Sequence, residues 1–305
     1  MLRSSLLWAS TNPFLAQRLP TYGFVRKAVR RFMPGEAPSD ALGEAERMGG
    51  EGVPTVVTWL GENVHSEAEA HAVADGYRAL AEDVVRRGID VELSVKLTHL
   101  GLDQGVDLAV RNVEAIAEVA PGIVWIDMEG SPYVDTTLEV WHAVRDATPD
   151  VGICLQAYLH RTWSDFESLL PRTPHIRLVK GAYREPPDVA MERKSTVDES
   201  FRKLTTRMLR ERKAGRMGRV AVATHDRRLI ADAGRVAFEI GLAADQWEVE
   251  MLYGIATDEQ RRLVSSGIPL RVLISYGEHW FPWYMRRLAE RPANVGFVLK
   301  QLVAR

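Results

Sequence analysis

The chain contains one cysteine, Cys154, so no intramolecular disulfide can form. This excludes the disulfide-stapled folds of small secreted proteins and fits a reducing compartment, here the cytoplasm. Cys154 sits in the apolar run from Val151 to Leu155 and reads as a core thiol. Long hydrophobic runs are also missing. None approaches the ~18 residues needed to span a bilayer, and the opening Met1 to Trp8 has too short an apolar core for a secretory signal. An excess of one charge is absent too, with 39 basic against 41 acidic residues. No basic footprint therefore points to nucleic acid, and no acidic tail is present. Several catalytic signatures are lacking as well. There is no HxH or HExxH for a metal and no GxSxG for an esterase nucleophile. No GxGxxG stands between a strand and a helix, because Gly215 and Gly218 precede a strand.

What is present is an alternation. Beyond the first ~45 residues, short β-rich runs take turns with longer stretches of helical period, as expected of βα units on a parallel sheet. Strands are expected to begin near Pro54, Asp90, Ile123, Val151, Ile176, Arg219, Trp247 and Leu270. Ser66 and Glu69 have capping-box spacing before a helix that should stop at Gly88. Eight such units favour a closed (β/α)8 barrel over an open Rossmann-like sheet. Residues 1–45 are expected to form an N-terminal helical arm and residues 46–305 the barrel. Within the arm, Phe24 to Met33 mixes basic and apolar residues. Such a segment suits either peripheral contact with an anionic membrane at its inner face or a solvated helix packed on the barrel; we expect the latter.

A barrel's interior should be apolar, so charged residues at the carboxyl ends of strands are candidates for chemistry. They are Glu62 after the first strand, Lys96 after the second, Asp127 and Glu129 after the third, and Gln156 on the fourth. Arg177 and Lys180 flank the fifth strand, and Thr224, His225 and Asp226 follow the sixth. Asp127 and Glu129 are two apart and would share a strand face, as a metal-binding or acid-base pair, unless one simply neutralises Lys96. The longest connection runs from Tyr183 to Lys194. Near the carboxyl terminus, adjacent Arg286 and Arg287 follow an aromatic cluster. They could form a donor fork for a small carboxylate, if their helix lies across the pocket mouth. The plainer alternative is an Arg286–Glu290 pair on a solvated face, contributing ~0.3 kcal/mol.

SVKLTHLG (94–101), WIDMEG (125–130), CLQAY (154–158), IRLVKGAY (176–183), ATHD (223–226), EMLYG (250–254) and WFPWYMRRLAERPAN (280–294) stand in one order along the chain. In that order they resemble the motifs of the monofunctional proline dehydrogenase family, and the match runs from LGENV (60–64) to the carboxyl terminus. The resemblance implies a flavoenzyme barrel that holds FAD noncovalently, oxidises L-proline to Δ1-pyrroline-5-carboxylate and passes electrons to a quinone. It implies that Arg286, Arg287 and Lys96 bind the substrate carboxylate, that Asp127 orients this cluster, and that Tyr183 and Leu252 line the pocket. Gln156, Arg177, Lys180, Gly181, Ala182, Thr224 and His225 would hold the flavin, with Arg177 near its reactive nitrogen and Met128 touching its ring. Lys194 and Glu290 would be further cofactor or gate contacts, and Glu62 an acidic partner for an active-site arginine. Two positions depart from the family: Leu273 and Trp283 stand where tyrosines usually pack on the substrate ring. Tyr276 and Tyr284 are the candidates to replace those hydroxyls, and hydroxyproline becomes an alternative substrate. Two further readings remain on the residues alone: a metal-dependent hydrolase or lyase using Asp127, Glu129 and His225, and a binding scaffold without catalysis.

Overall fold

The computed structural model describes Asn12 and residues 29–281 and 283–285. Eight parallel strands close into a barrel in sequence order. They are β1 (Thr55–Trp59), β2 (Val91–Val95), β3 (Val124–Ile126), β4 (Val151–Gln156), β5 (His175–Val179), β6 (Val220–Ala223), β7 (Glu248–Leu252) and β8 (Leu270–Tyr276). Each begins within one residue of its expected start, because β-branched and leucine residues recur at every second position. That set, including Val57, Leu93, Ile126, Ile153, Leu178, Val222, Val249 and Ile274, joins the main apolar core with the buried faces of the helices. Burying each such side chain contributes about 1.5–3 kcal/mol.

The helices are α1 (Pro38–Gly50) before the barrel, then α2 (Glu67–Arg87), α3 (Val106–Ala117), α4 (Val134–Ala147), α5 (Thr162–Leu169), α6 (Lys194–Lys213), α7 (Arg227–Glu239) and α8 (Thr257–Ser265). In α2 the Ser66 hydroxyl accepts from the Glu69 N–H at 3.2 Å, and the Glu69 carboxylate reaches back to the His65 N–H at 2.7 Å. The helix stops at Gly88, whose φ of 65° is left-handed, as the expected C-cap requires. Helix α1 runs through residue 45, where the expected arm would end. Its apolar stripe of Ala41, Leu42, Ala45 and Met48 belongs to the main core, and it packs across β1 and β8.

A second apolar cluster lies over the carboxyl ends of the strands. Val29, Phe32 and Met33 from the chain's start meet Leu60 after β1, Ile255 after β7, and Trp280, Phe281, Trp283, Tyr284 and Met285. The Trp280 indole N–H donates to the Glu36 carboxylate at 2.9 Å. Gly254 allows this approach: its φ is +71°, and a β-carbon there would collide with the Arg31 carbonyl. The segment 29–36 therefore straps the helical start of the carboxyl-terminal block to the mouth of the barrel. Arg286, Arg287 and Glu290 lie outside the described residues, as do residues 1–28 apart from Asn12.

Candidate active site

Strand alternation sends the opposite set of side chains into the barrel, and this set is largely charged. The expected apolar interior is confined to one small group, Val56, Ile123, Trp125 and Ala221, with Leu273 packed against it. Below that group a ring of charges closes the amino-terminal end. Arg271 lies 3.0 Å from Asp90, 3.3 Å from Glu248 and 3.6 Å from Glu92. Arg219 lies 2.9 Å from Glu248 and 3.5 Å from Glu92, while the Trp125 indole donates to Glu92 at 2.7 Å. Glu92, Glu248 and Arg271 are buried, and buried charges persist only when each has partners.

Above it, side chains from β5, β3, β7 and the end of β2 meet across the lumen. Lys96 Nζ donates to Asp127 Oδ2 at 2.7 Å, and the Ser94 hydroxyl donates to Oδ1 at 2.8 Å. Arg177 Nη1 donates to the Ser94 hydroxyl at 2.8 Å and to Asp127 Oδ1 at 3.2 Å. The guanidinium lies over the Trp125 ring, 4.7 Å from its centroid, a cation–π contact in a desolvated setting. On its other edge, Arg177 Nε is 2.5 Å from Glu250 Oε2. That contact is coulombic, since Nε lacks hydrogen-bond alignment. Burial alone would raise the Asp127 pKa, but Lys96 and Arg177 outweigh it, so the carboxylate is held ionised. Burial would likewise deprotonate Lys96; Asp127, Tyr183 and Glu62 reverse this and keep it a cation. The latter two also place the start of the fifth βα connection and the end of the first beside Lys96.

Asp127 and Glu129 do not act as a pair, which corrects that expectation. Glu129 is buried and accepts from the Thr98 N–H at 3.0 Å and the Thr98 hydroxyl at 2.7 Å, fixing the loop after β2. The two carboxylates do not share a strand face, because β3 ends at Ile126 and both lie in the irregular backbone after it. Asp127 is the one that neutralises Lys96. Among the described residues, no three His, Cys, Asp or Glu side chains converge as metal ligands would. Cys154 is buried in the lumen beside Arg177, and burial pushes its thiol up to about 12.

Towards β6 the site is edged by a second ionic group. Lys180 Nζ lies 2.6 Å from Asp198 and 3.2 Å from Asp226; Lys194 Nζ also contacts Asp198 and lies 3.3 Å from Asp226. Asp226 caps α7 by accepting from the Arg228 N–H, and the Thr224 hydroxyl accepts from the Asp226 N–H, both at 3.2 Å. The His225 ring accepts from the Leu252 N–H at 3.4 Å. The Gln156 amide donates to the Met128 and Glu129 carbonyls at 2.7 and 3.2 Å. Met128 itself packs in the main core. Gly181 has φ +113°, and a β-carbon there would strike the Tyr158 ring. Its absence of a side chain is thus required by packing.

Among the buried polar atoms around this lumen without a hydrogen-bond partner are the donors Arg177 Nε and Nη2 and the acceptors Gln156 Oε1 and Glu250 Oε1. Unsatisfied groups of this kind each cost about 1–3 kcal/mol, so they mark where a ligand with both donor and acceptor edges is accommodated.

A family model described as proline dehydrogenase matches residues 41–300. The chain belongs to the proline dehydrogenase family. It is 36% identical over 306 residues to proline dehydrogenase 1 of Bacillus subtilis (strain 168), covering 99% of each chain. It is also 36% identical over 281 residues to the proline dehydrogenase of Deinococcus radiodurans, covering 90% of this chain and 89% of that one. The fold matches the crystal structure of proline utilization A from Bdellovibrio bacteriovorus with a TM-score of 0.79 at 24% identity. That alignment covers 95% of this chain but only 36% of the longer one.

Of the two positions where the sequence led us to expect a tyrosine, Leu273 is half-buried in the lumen beside Trp125 and Val56. Trp283 belongs to the cluster over the strand ends, against which Leu252 packs. Tyr276 does not substitute for a missing pocket hydroxyl: it is buried in the main core and stacked on Trp59 at 5.9 Å. Tyr284 is buried against Phe32 and Trp280 in the strap cluster. The sequence reading missed Glu250, Ser94 and Trp125 as members of the site, although the alternation in VELSVK and WEVEML signals a polar lumen.

Proposed function

We propose that the protein oxidises L-proline to Δ1-pyrroline-5-carboxylate with noncovalently held FAD, the first step of proline catabolism, and delivers the electrons to a quinone. Family membership supports the reaction, and the observation that supports this site is the row Lys96–Asp127–Arg177 with its uncommitted donor at Arg177 Nη2. The donor and acceptor atoms left at Arg177 and Gln156 fit a flavin ring, whose edge carries both carbonyls and an N–H. FAD bound there supplies the hydride acceptor. Gln156, Arg177, Lys180, Gly181, Ala182, Thr224, His225 and the Met128 main chain would hold it, with Lys194 and Glu290 as outer contacts.

This chain's own residues do the rest. Lys96, kept cationic by Asp127, attracts the substrate carboxylate, and Arg286 and Arg287 would complete its capture. Asp127 fixes Lys96 and Arg177 relative to one another, so the substrate's carbon and its acceptor are held in a constant geometry. Positive charge at Arg177 favours electron flow into the ring it faces. Tyr183 and Leu252 line the substrate's place, and the aromatic cluster over the strand ends excludes competing water. Peripheral membrane contact through the basic arm would bring the site to a quinone. Among the described residues, no helix is long and apolar enough to cross a membrane.

A second substrate is suggested by one observation: Leu273 presents an apolar, half-buried side chain to the lumen where the family usually carries tyrosine. A ring-substituted proline such as hydroxyproline is therefore the alternative. Gel filtration after incubation with FAD tests the cofactor assignment. Retention of about one FAD per chain is expected, and a colourless, flavin-free protein would contradict it.

A further inference from the structure

Glu250 has no place in the site just proposed, yet its carboxylate touches the centre of it. It projects from β7 into the lumen, is almost fully buried, and meets Arg177 at Nε, while Asp127 meets the same guanidinium at Nη1. The guanidinium carbon sits over the Trp125 ring, and Nη2 is left without an acceptor. Lys96, Asp127, Arg177 and Glu250 thus alternate in sign from β2 to β7. With all four ionised, the row carries no net charge. Burial raises the Glu250 pKa, with the Glu248 and Glu92 carboxylates below adding to this; Arg177 and, more distantly, Arg271 oppose it. With Arg177 in place the carboxyl is still pushed up to about 7, so it is ionised above neutral pH, and that charge depends on Arg177 being present.

We propose that Glu250 is a positioning residue that holds Arg177 on the Trp125 face and sets how much positive charge the site presents to bound FAD, thereby tuning the flavin's reduction potential. This rests on the reading that Arg177 faces the flavin. A neutral residue at 250 would leave Arg177 less compensated and make FAD easier to reduce.

The test measures the flavin midpoint potential against a reference dye at about pH 8.5, where Glu250 is ionised, without substrate, in the FAD-loaded wild type, Glu250→Gln, Arg177→Met and the double variant. Glu250→Gln should shift the dye equilibrium about tenfold towards reduced flavin, about 30 mV for a two-electron couple. Adding Glu250→Gln to Arg177→Met should change nothing further, because without the guanidinium a buried Glu250 takes up a proton and is already neutral. An unchanged potential in Glu250→Gln, or an equal shift in both backgrounds, overturns the proposal. Should Glu250→Gln not fold, Glu250→Asp, which withdraws the charge by one methylene, should shift the potential the same way by less; no shift there is equally contrary. If Arg177→Met keeps the wild-type potential, the placement of Arg177 beside the flavin fails. A shift in Arg177→Met with none in Glu250→Gln defeats the role of Glu250 alone. A wild type that binds no flavin overturns both.

Discussion

Arg177 of β5 lies over the indole of Trp125 of β3, with its guanidinium carbon 4.7 Å from the ring centroid. The same indole N–H donates to Glu92 in the charged ring below, so one side chain joins the two polar layers of the barrel. Replacing Trp125 by Phe keeps an aromatic platform but removes that donor from a buried carboxylate. Stability should fall by ~1–3 kcal/mol, while affinity for FAD stays within about threefold of wild type. Chemical denaturation and flavin titration measure the two separately. A large loss of FAD affinity at unchanged stability would show that the indole, rather than its aromatic face, positions Arg177.

The contact between Gly254 and Arg31 makes a prediction about the strap. Gly254→Ala should force residues 29–33 off the strand ends, with a loss of ~2 kcal/mol or more from the left-handed backbone and the collision. Melting should drop by about 4–8 °C, and the amino-terminal segment should become more open to limited proteolysis. Gly234 in α7, where a β-carbon meets nothing within 4 Å, provides the control. Gly234→Ala should be neutral or stabilising by up to ~1 kcal/mol. Equal protease sensitivity in the two variants would mean that the strap does not depend on Gly254.

Substrate choice should respond to Leu273. Placing Tyr there, in the lumen against Val56 and Trp125, should raise the ratio of kcat/KM for proline over hydroxyproline by about tenfold, the ~1.4 kcal/mol expected of one steric or polar discrimination. A ratio unchanged in Leu273→Tyr would mean that this side chain does not meet the substrate ring.

Strand positions were readable in the sequence because each strand's outward face is β-branched or leucine-rich, as in Val91-Glu-Leu-Ser-Val95, and needs no tertiary information. Lys96, Asp127 and Gln156, at the carboxyl ends of their strands, and Arg177, within β5, were readable as candidates, and the structure brings their side chains to one end of the lumen. Less legible was what they touch. Whether Asp127 pairs with Glu129 or with Lys96 depends on the irregular backbone after β3, and no local pattern encodes it. The polar lumen was missed because a barrel interior was taken to be apolar; Glu92, Glu248 and Glu250 at alternating strand positions carried the contrary signal. Helix α1 spans residue 45, and its stripe of Ala41, Leu42, Ala45 and Met48 is short and rich in alanine, so helical period alone does not assign it to the barrel core.

Two histidines, His99 buried and His175 half-buried, should make stability depend on pH. Burial first, then Lys96, depresses His99 to about 4; burial first, then Arg145, does the same for His175. His175 Nδ1 accepts from the Arg219 N–H at 2.7 Å, so its neutral form is the one built into the fold. A histidine whose folded pKa lies below its unfolded value of ~6.5 takes up its proton more readily when unfolded. Its contribution is complete above about pH 6.5 and is lost as pH falls towards 4. The stability difference between wild type and His175→Asn should therefore shrink by ~3 kcal/mol across that window. A difference that is constant, or grows with acid, would contradict the neutral ring.

The central claim, proline oxidation by FAD in the lumen above Arg177, is tested most directly by anaerobic titration of the FAD-loaded protein with L-proline while the flavin spectrum is recorded. Bleaching of the oxidised flavin band as proline is added, with Δ1-pyrroline-5-carboxylate formed in proportion, is the expected result. An FAD-loaded protein whose spectrum stays unchanged with excess proline and with hydroxyproline would contradict it.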